Sequence, residues 1–300
     1  MNTDTRHHRF GRVALVGRPN VGKSTLLNAI LGTKLSIVTP KPQTTRHRIL
    51  GVETRDDAQI VFIDTPGLHQ GGKRALNRQL NRVARQVPEE ADLLVHVIDG
   101  VRWREEDEAV WQLVSKQPAP CLLVVNKVDK LADKKALLPF AAEVTRERGY
   151  AAVHFLAARR GDGVPALLDE IVALLPEGPA EFPPDEFTDR SERFLAAELV
   201  REQLMLQLAA ELPYAAAVEI EHFEDTPGLT RIGAVIWVER EGQKGIVIGA
   251  GGAQLKKIGS AARRTMERVF DRKVFLEVRV RVRESWSDDA AALKQFGYSE

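Results

Sequence analysis

Between Gly11 and about Leu175, short apolar runs alternate with longer amphipathic ones. The pattern predicts strands at Val13–Val16, Ile60–Ile63, Leu93–Ile98, Leu122–Val125 and Ala152–Phe155. Helical periodicity is predicted at Lys23–Leu31, Arg74–Val87, Glu105–Lys116, Asp133–Arg148 and Val164–Leu175. Strands spaced by helices require right-handed crossovers, which gives an α/β fold on a doubly wound, mostly parallel sheet. A run that is apolar throughout, such as Leu122–Val125, suits a strand covered on both faces.

From Pro176 to Asp189 four prolines and a glycine discourage either regular structure. The sequence therefore divides into a first domain over residues 1–178, a linker over 179–190 and a second domain over 191–300. The second domain reads as a helix (about Ser191–Glu211), two strands (Ala215–Phe223 and Thr230–Arg240), a helical stretch broken by glycines, and a last strand (Lys273–Arg283). That is a smaller α+β plan of its own.

With 300 residues, 44% of them hydrophobic, the chain can fill two cores, which excludes disordered and fibrous classes. Basic and acidic residues number 43 and 42, so any contact with nucleic acid must be local. The balance hides a polarity: Phe182–Gln243 holds 5 basic and 13 acidic residues, net −8, whereas Lys244–Arg283 holds 11 and 3, net +8. The single cysteine, Cys121, lies in a buried-strand pattern and allows no internal disulfide, which points to a reducing compartment. The polar N-terminus has no signal-peptide core and no run is long enough to span a bilayer, so a cytoplasmic location is expected. His7 and His8 read as part of a mobile tail.

Three motifs follow predicted strands in order. Gly17-Arg18-Pro19-Asn20-Val21-Gly22-Lys23-Ser24, with Thr25 behind it, fits a phosphate-binding loop between a strand and a helix. Its glycines let backbone N–H groups converge on phosphate oxygens at a helix N-terminus, Lys23 reaches the β and γ phosphates, and the Ser24 hydroxyl suits Mg2+. Asp64-Thr65-Pro66-Gly67 places a carboxylate at a strand's carboxyl end, where it holds Mg2+ through water, while the Gly67 N–H addresses the γ phosphate. Asn126-Lys127-Val128-Asp129 closes another strand. A carboxylate at Asp129 accepts from N1 and N2 of guanine, which adenine cannot match, so GTP and GDP are selected over adenine nucleotides. Between the first two motifs Thr44 and Thr45 both offer a switch hydroxyl, and Thr45 is favoured for Mg2+.

With these motifs, Pro42-Gln43-Thr44-Thr45-Arg46 and the C-terminal Glu284-Ser285-Trp286-Ser287-Asp288-Asp289 and Phe296-Gly297-Tyr298, the chain resembles the Era-type family of bacterial GTPases from about Phe10 to Tyr298. The resemblance implies a GTPase domain followed by a type II KH domain, whose α-β-β-α-α-β order matches the second half. It implies binding near the 3′ end of small-subunit ribosomal RNA, assistance in small-subunit assembly, and a monomer. One departure is Leu156-Ala157-Ala158, where the family usually has Ser-Ala; Ala158 retains the backbone N–H for guanine O6, but a serine side-chain bond is lost. Leu68 stands where Ras-type enzymes carry a water-orienting glutamine, so slow intrinsic hydrolysis is expected. Related GTPases use an asparagine at the position of Asn20 to help hold K+ beside the phosphates, and Arg46 is a second charge donor. Lys23, Asn20, Thr45 and Gly67 are thus the catalytic candidates.

In the second half Gly249-Ala250-Gly251-Gly252 is the Gly-x-x-Gly loop of the KH resemblance, inside the +8 segment. Ile246 and Ile248 would support bases, the loop would meet the backbone, and Lys256, Lys257, Arg263 and Arg264 would lie near phosphates. Trp286 reads as packing for the C-terminal segment. Two alternatives stand beside this reading: a hydrolysis-poor nucleotide sensor that is chiefly an RNA-binding module, and a regulatory GTPase in peripheral contact with the inner membrane through its Lys/Arg stretch.

Overall fold

The sheet of the first unit is ordered β2-β3-β1-β4-β5-β6, with β1 at Arg9–Val16, β2 at Ile49–Thr54, β3 at Ala58–Asp64, β4 at Leu93–Asp99, β5 at Cys121–Asn126 and β6 at Ala152–Phe155. The computed structural model describes residues 8–67, 75–209 and 211–298. β1 pairs in parallel with β3 and β4, β4 with β5, and β5 with β6, whereas β2 runs antiparallel to β3. The helices are α1 (Lys23–Leu31), α2 (Ala75–Gln86), α3 (Glu105–Val114), α4 (Leu137–Glu147) and α5 (Val164–Leu174). β3 and β5 are buried at every residue, as strands covered on both faces must be. One core cluster joins Ala14, Val16, Ile63 and Leu94 to Val110 and Val114 of α3; another joins Ile98, Leu123 and Val125 to Leu137 and Val144 of α4. Cys121 is buried in the first, and burial pushes its thiol up to about 12, out of reach of thiolate chemistry.

β2 was not among the predicted strands, because Gly51 interrupts its apolar run. The position is tightly packed: a Cβ would lie 2.7 Å from Leu31 Cδ1 and 2.8 Å from Leu27 Cδ1, both leucine tips on α1 that would have to shift. The linker also differs from a free tether. This unit continues to Asp189, and residues 176–189 are strapped onto it. Gln59 on β3 is the central clasp: its Oε1 accepts from the N–H groups of Glu181 at 2.8 Å and Phe182 at 2.9 Å, and its Nε2 donates to the Phe182 carbonyl at 2.8 Å. Phe187 accepts from the Val52 N–H at 2.9 Å, and the Thr188 hydroxyl donates to the Leu50 carbonyl at 2.7 Å. The expected mobility of His8 is not seen, since its backbone carbonyl accepts from the Gly178 N–H at 3.0 Å; His7 lies outside the described residues.

The second unit begins at Arg190, with the segment Ile37–Thr44 grouped in it. It runs α6 (Glu192–Gln207), β7 (Ala217–Thr226), β8 (Leu229–Val238), α7 (Glu241–Ile248), α8 (Ala253–Val269), β9 (Lys273–Val282) and α9 (Ala290–Gln295). Ser191 caps α6 by accepting from the Phe194 N–H. β8 is central, antiparallel to β7 and parallel to β9. Trp286 is fully buried; its indole N–H donates to the Ala215 carbonyl at 3.0 Å, and Phe296 and Tyr298 pack on its rings, so the C-terminal segment is closed onto this unit.

Candidate functional site

The three motifs meet at the carboxyl ends of β1, β3 and β5, the edge at which open α/β sheets bind ligands. Gly17 leaves β1 so close to β4 that a Cβ would sit 2.3 Å from the Val97 carbonyl oxygen. Gly22 takes φ 105 and opens α1, and its Cβ would meet Asn126 Nδ2 at 2.4 Å. Asn20 also has positive φ and is exposed, while Val21 is buried. Within this loop Lys23 is buried and donates to the carbonyls of Gly17 at 2.9 Å and Arg18 at 3.2 Å. Burial pushes its ammonium down to about 8 against the opposing pull of Asp64.

Ser24, Thr45 and Asp64 converge. The Ser24 hydroxyl donates to Asp64 Oδ2 at 2.6 Å and shares a hydrogen bond with the Thr45 hydroxyl at 2.8 Å. The Thr44 hydroxyl is engaged elsewhere, with Thr39 at 2.6 Å and the Lys41 carbonyl at 2.7 Å. Ser36, which sequence reasoning missed, donates to the same Asp64 oxygen at 3.0 Å. Burial raises the Asp64 carboxyl above the usual carboxylate range, although Lys23 and the two serine hydroxyls oppose it. Asp64 Oδ1 is buried with no hydrogen-bond partner among the described residues. An orphaned carboxylate oxygen flanked by two hydroxyls is a hard oxygen donor set and fits Mg2+. Beyond it, Thr65 donates to the Leu15 carbonyl at 3.0 Å, and Gly67 lies against the phosphate loop, where a Cβ would come 2.8 Å from Pro19 N. Leu68 lies outside the described residues. Arg46 is buried, at 2% exposure.

Asn126 ties the loops together: its Nδ2 donates to the Val21 carbonyl at 2.9 Å, and its Oδ1 accepts from the N–H groups of Lys127 at 2.8 Å and Ala158 at 3.1 Å. The Ala158 N–H assigned to guanine O6 therefore has Asn126 as its partner here. Lys127 adopts φ 61, and its Nζ donates to the Asn20 carbonyl and to Asp99 Oδ2, the latter at 2.8 Å. Val128 opens a short 3-10 turn that carries Asp129, whose carboxylate is 3.9 Å from Arg160 Nε. Asp99 and Asp107 were also missed by the sequence reading. Asp99 ends β4 as Asp64 ends β3, but no motif surrounds it to mark the position.

In the second unit Gly249–Gly252 turns between α7 and α8. Gly249 has φ 72, and a Cβ would lie 2.7 Å from Gln254 Cβ; Gly251 and Gly252 have φ 56 and 80. The turn thus needs glycine at its close approach and in its left-handed positions. Ile246 is 60% exposed at the end of α7, Val247 is buried and Ile248 is half-buried. On α8 Lys256, Lys257 and Arg264 are exposed, whereas Arg263 is paired with Glu267 at 2.8 Å. Phe275 on β9 is half-exposed, with the Arg231 guanidinium 5.6 Å from its ring centroid.

Residues 12–127 match the family described as 50S ribosome-binding GTPase, and residues 211–287 match the KH domain family. The molecule is accordingly a GTPase that carries a KH domain. A GTPase Era from Xanthomonas oryzae pv. oryzae is 59% identical over 99% of this chain and 100% of its own length; one from Stenotrophomonas maltophilia is 58% identical over the same shares. A crystal structure of Era in complex with MgGDPNP and nucleotides 1506–1542 of 16S ribosomal RNA superposes with a TM-score of 0.94 at 39% identity, covering 98% of this chain and 100% of that one. A tyrosine-to-alanine variant of Aquifex aeolicus Era bound to GDP.AlF4- gives 0.93 at 39% identity over 97% and 100%. The chain belongs to the Era family of GTPases.

Proposed function

We propose that this chain hydrolyses GTP in the site formed by Gly17–Thr25, Asp64–Gly67, Asn126–Asp129 and Ala158, and that its KH unit binds single-stranded RNA at the 3′ end of small-subunit ribosomal RNA to assist assembly of that subunit. The observation that carries the reading is the full-length likeness to an Era crystallised with both MgGDPNP and 16S ribosomal RNA nucleotides. Ser24, Thr45 and Asp64 would hold Mg2+, which when bound neutralises charge on the β and γ phosphates. Lys23 supplies a second positive charge, and its lowered proton affinity reflects a buried ammonium poised for anionic oxygens. Asp129 selects guanine, and the Gly67 N–H faces the γ phosphate.

The Asn20 side chain can supply K+ at most one amide oxygen, so the ion would need the nucleotide's own phosphate oxygens among its other ligands. Equal turnover in KCl and NaCl would remove K+ from the reading. In the KH unit the Gly249–Gly252 turn admits a nucleic-acid backbone, exposed Ile246 and half-buried Ile248 support bases, and Lys256, Lys257 and Arg264 meet phosphates. Arg263 contributes less because Glu267 neutralises it. The protein acts as a cytoplasmic monomer, with peripheral contact between its basic helix and the inner membrane as the alternative reading; among the described residues no helix is long and apolar enough to cross a membrane.

The test is fluorescence polarisation of a labelled oligomer matching the ribosomal RNA 3′ tail, titrated with protein loaded with GDP or a non-hydrolysable GTP analogue. A parallel titration uses Ala250→Asp/Gly251→Asp. Tight binding with the analogue, weaker binding with GDP and loss in the double variant are expected. Binding indifferent to both would refute the glycine turn as a GTP-gated RNA clamp and leave this unit a charged surface, and flotation with anionic vesicles would then test the basic helix against lipid.

A further inference from the structure

Arg18 of the phosphate loop and Lys127 of the base-recognition loop do not act as separate surface cations: both terminate on one carboxylate. Asp99 Oδ1 accepts from the Arg18 guanidinium, and Asp99 Oδ2 accepts from Lys127 Nζ at 2.8 Å. Asp107, fully buried on α3, takes the other side of Arg18, with Nε 3.1 Å from Oδ1. Arg18 is itself 9% exposed along its side chain, so its charge is committed to these two carboxylates. Burial alone would raise the Asp99 carboxyl, but Lys127 and Arg18 outweigh it and hold it below the usual carboxylate range, so it is anionic at neutral pH.

The support behind Asp99 is built as well. It is the last residue of β4, in register with Asn126 at the end of β5, and the following Gly100 N–H donates to the Asn126 carbonyl at 3.2 Å. Further along the same loop the Trp103 indole N–H donates to Glu108 Oε2 at 3.0 Å, and the Arg148 guanidinium lies 4.2 Å from the Trp103 ring centroid while donating to that same carboxylate at 2.6 Å. The loop is therefore fixed at both ends.

We infer that Asp99 is a positioning residue for the nucleotide, setting the Lys127 side chain along the guanine plane and, through Arg18, fixing the phosphate loop relative to it, so that grip on base and grip on phosphate depend on one carboxylate. The inference rests on the nucleotide site proposed above. A methylene-and-ammonium side chain samples many rotamers, and a charge-assisted hydrogen bond at its tip removes that freedom before the base arrives.

The experiment is stopped-flow release of a fluorescent GDP from Asp99→Asn, Asp99→Glu, Lys127→Ala and the Asp99→Asn/Lys127→Ala double variant, with steady-state GTP hydrolysis beside it. Asp99→Asn is expected to accelerate release at least about tenfold, the order for losing a hydrogen bond to a charged group. KM for GTP should rise with it while kcat stays within about twofold, because the lost grip is uniform across the reaction. The double variant should release GDP faster than Lys127→Ala alone, through loss of the Arg18 arm, but by less than the full Asp99→Asn factor, because the Lys127 arm is already gone. Asp99→Glu keeps the charge but overreaches the two cations, and it carries the test if Asp99→Asn does not fold: faster release supports the inference and unchanged release overturns it. Multiplying single-variant effects, or a fall in kcat with KM unmoved, would also overturn it. Unchanged release in Lys127→Ala would instead refute the site reading itself.

Discussion

At Gly67 a side chain has no free volume: its Cβ would lie 2.8 Å from the Pro19 nitrogen and 3.0 Å from the Pro19 Cα, both backbone atoms of the phosphate loop. Gly67→Ala must therefore move one loop off the other, and a displacement near 1 Å at a reacting phosphate costs on the order of a hundredfold in turnover. GDP affinity should change far less; equal losses in both would place the glycine outside the γ-phosphate contact. Asp64 gives a pH prediction. Its carboxyl titrates above the unfolded value of about 3.9, so it takes nothing from stability in acid, where both states are protonated, and costs progressively more as pH rises from there toward its raised folded value. Melting of the nucleotide-free protein should show Asp64→Asn above wild type at pH 7 and level with it near pH 3, while Mg2+-dependent GTP binding is lost. Ser24, Asp64 and Asn126 were legible in the sequence because each belongs to a spaced motif at a strand end. Ser36, Asp99 and Asp107 were not: each lies outside any spaced motif, Asp107 within a run of acidic residues, and its partner is set by the register of another strand or helix.

At the scale of elements, the apolar runs of β3, β4 and β5 were legible because two-sided burial leaves few polar positions, while β2 hid behind Gly51 and α9 behind a six-residue length too short for periodicity. The linker shows a different limit. Its prolines announce irregular backbone correctly, yet irregular backbone still needs its N–H and C=O groups satisfied, and Gln59 supplies that from β3. Gln59→Leu keeps the volume and removes the clasp, leaving three linker backbone groups to find water. A loss of about 2–3 kcal/mol in unfolding free energy is expected, at roughly 1 kcal/mol per bond, with new protease cleavage between residues 176 and 189. Unchanged stability and unchanged cleavage would show that the strap is held by Phe187 and Thr188 instead.

For the whole molecule, a net charge of +1 conceals two opposed stretches, Phe182–Gln243 and Lys244–Arg283, and only the local count pointed to the basic helix. What the count could not show is which cations are available. On α8 Arg263 is spent on Glu267, one turn away, whereas Lys256 and Lys257 in the first turns after the glycine loop and Arg264 further along the helix stand exposed. Cations already paired release few counterions from a nucleic acid, and free ones release about 0.7 per phosphate on a single strand. The dependence of RNA affinity on salt should therefore separate them. Replacing Lys256, Lys257 and Arg264 together by alanine should flatten the slope of log K against log salt by about 2, and should weaken all RNA sequences alike. Arg263→Ala should leave the slope nearly as it was, because removing it also frees an acidic neighbour whose repulsion is short-ranged at physiological salt. If instead Arg263→Ala flattens the slope as much as any exposed lysine does, the Glu267 pair opens when RNA binds, and α8 presents four cations to the strand rather than three.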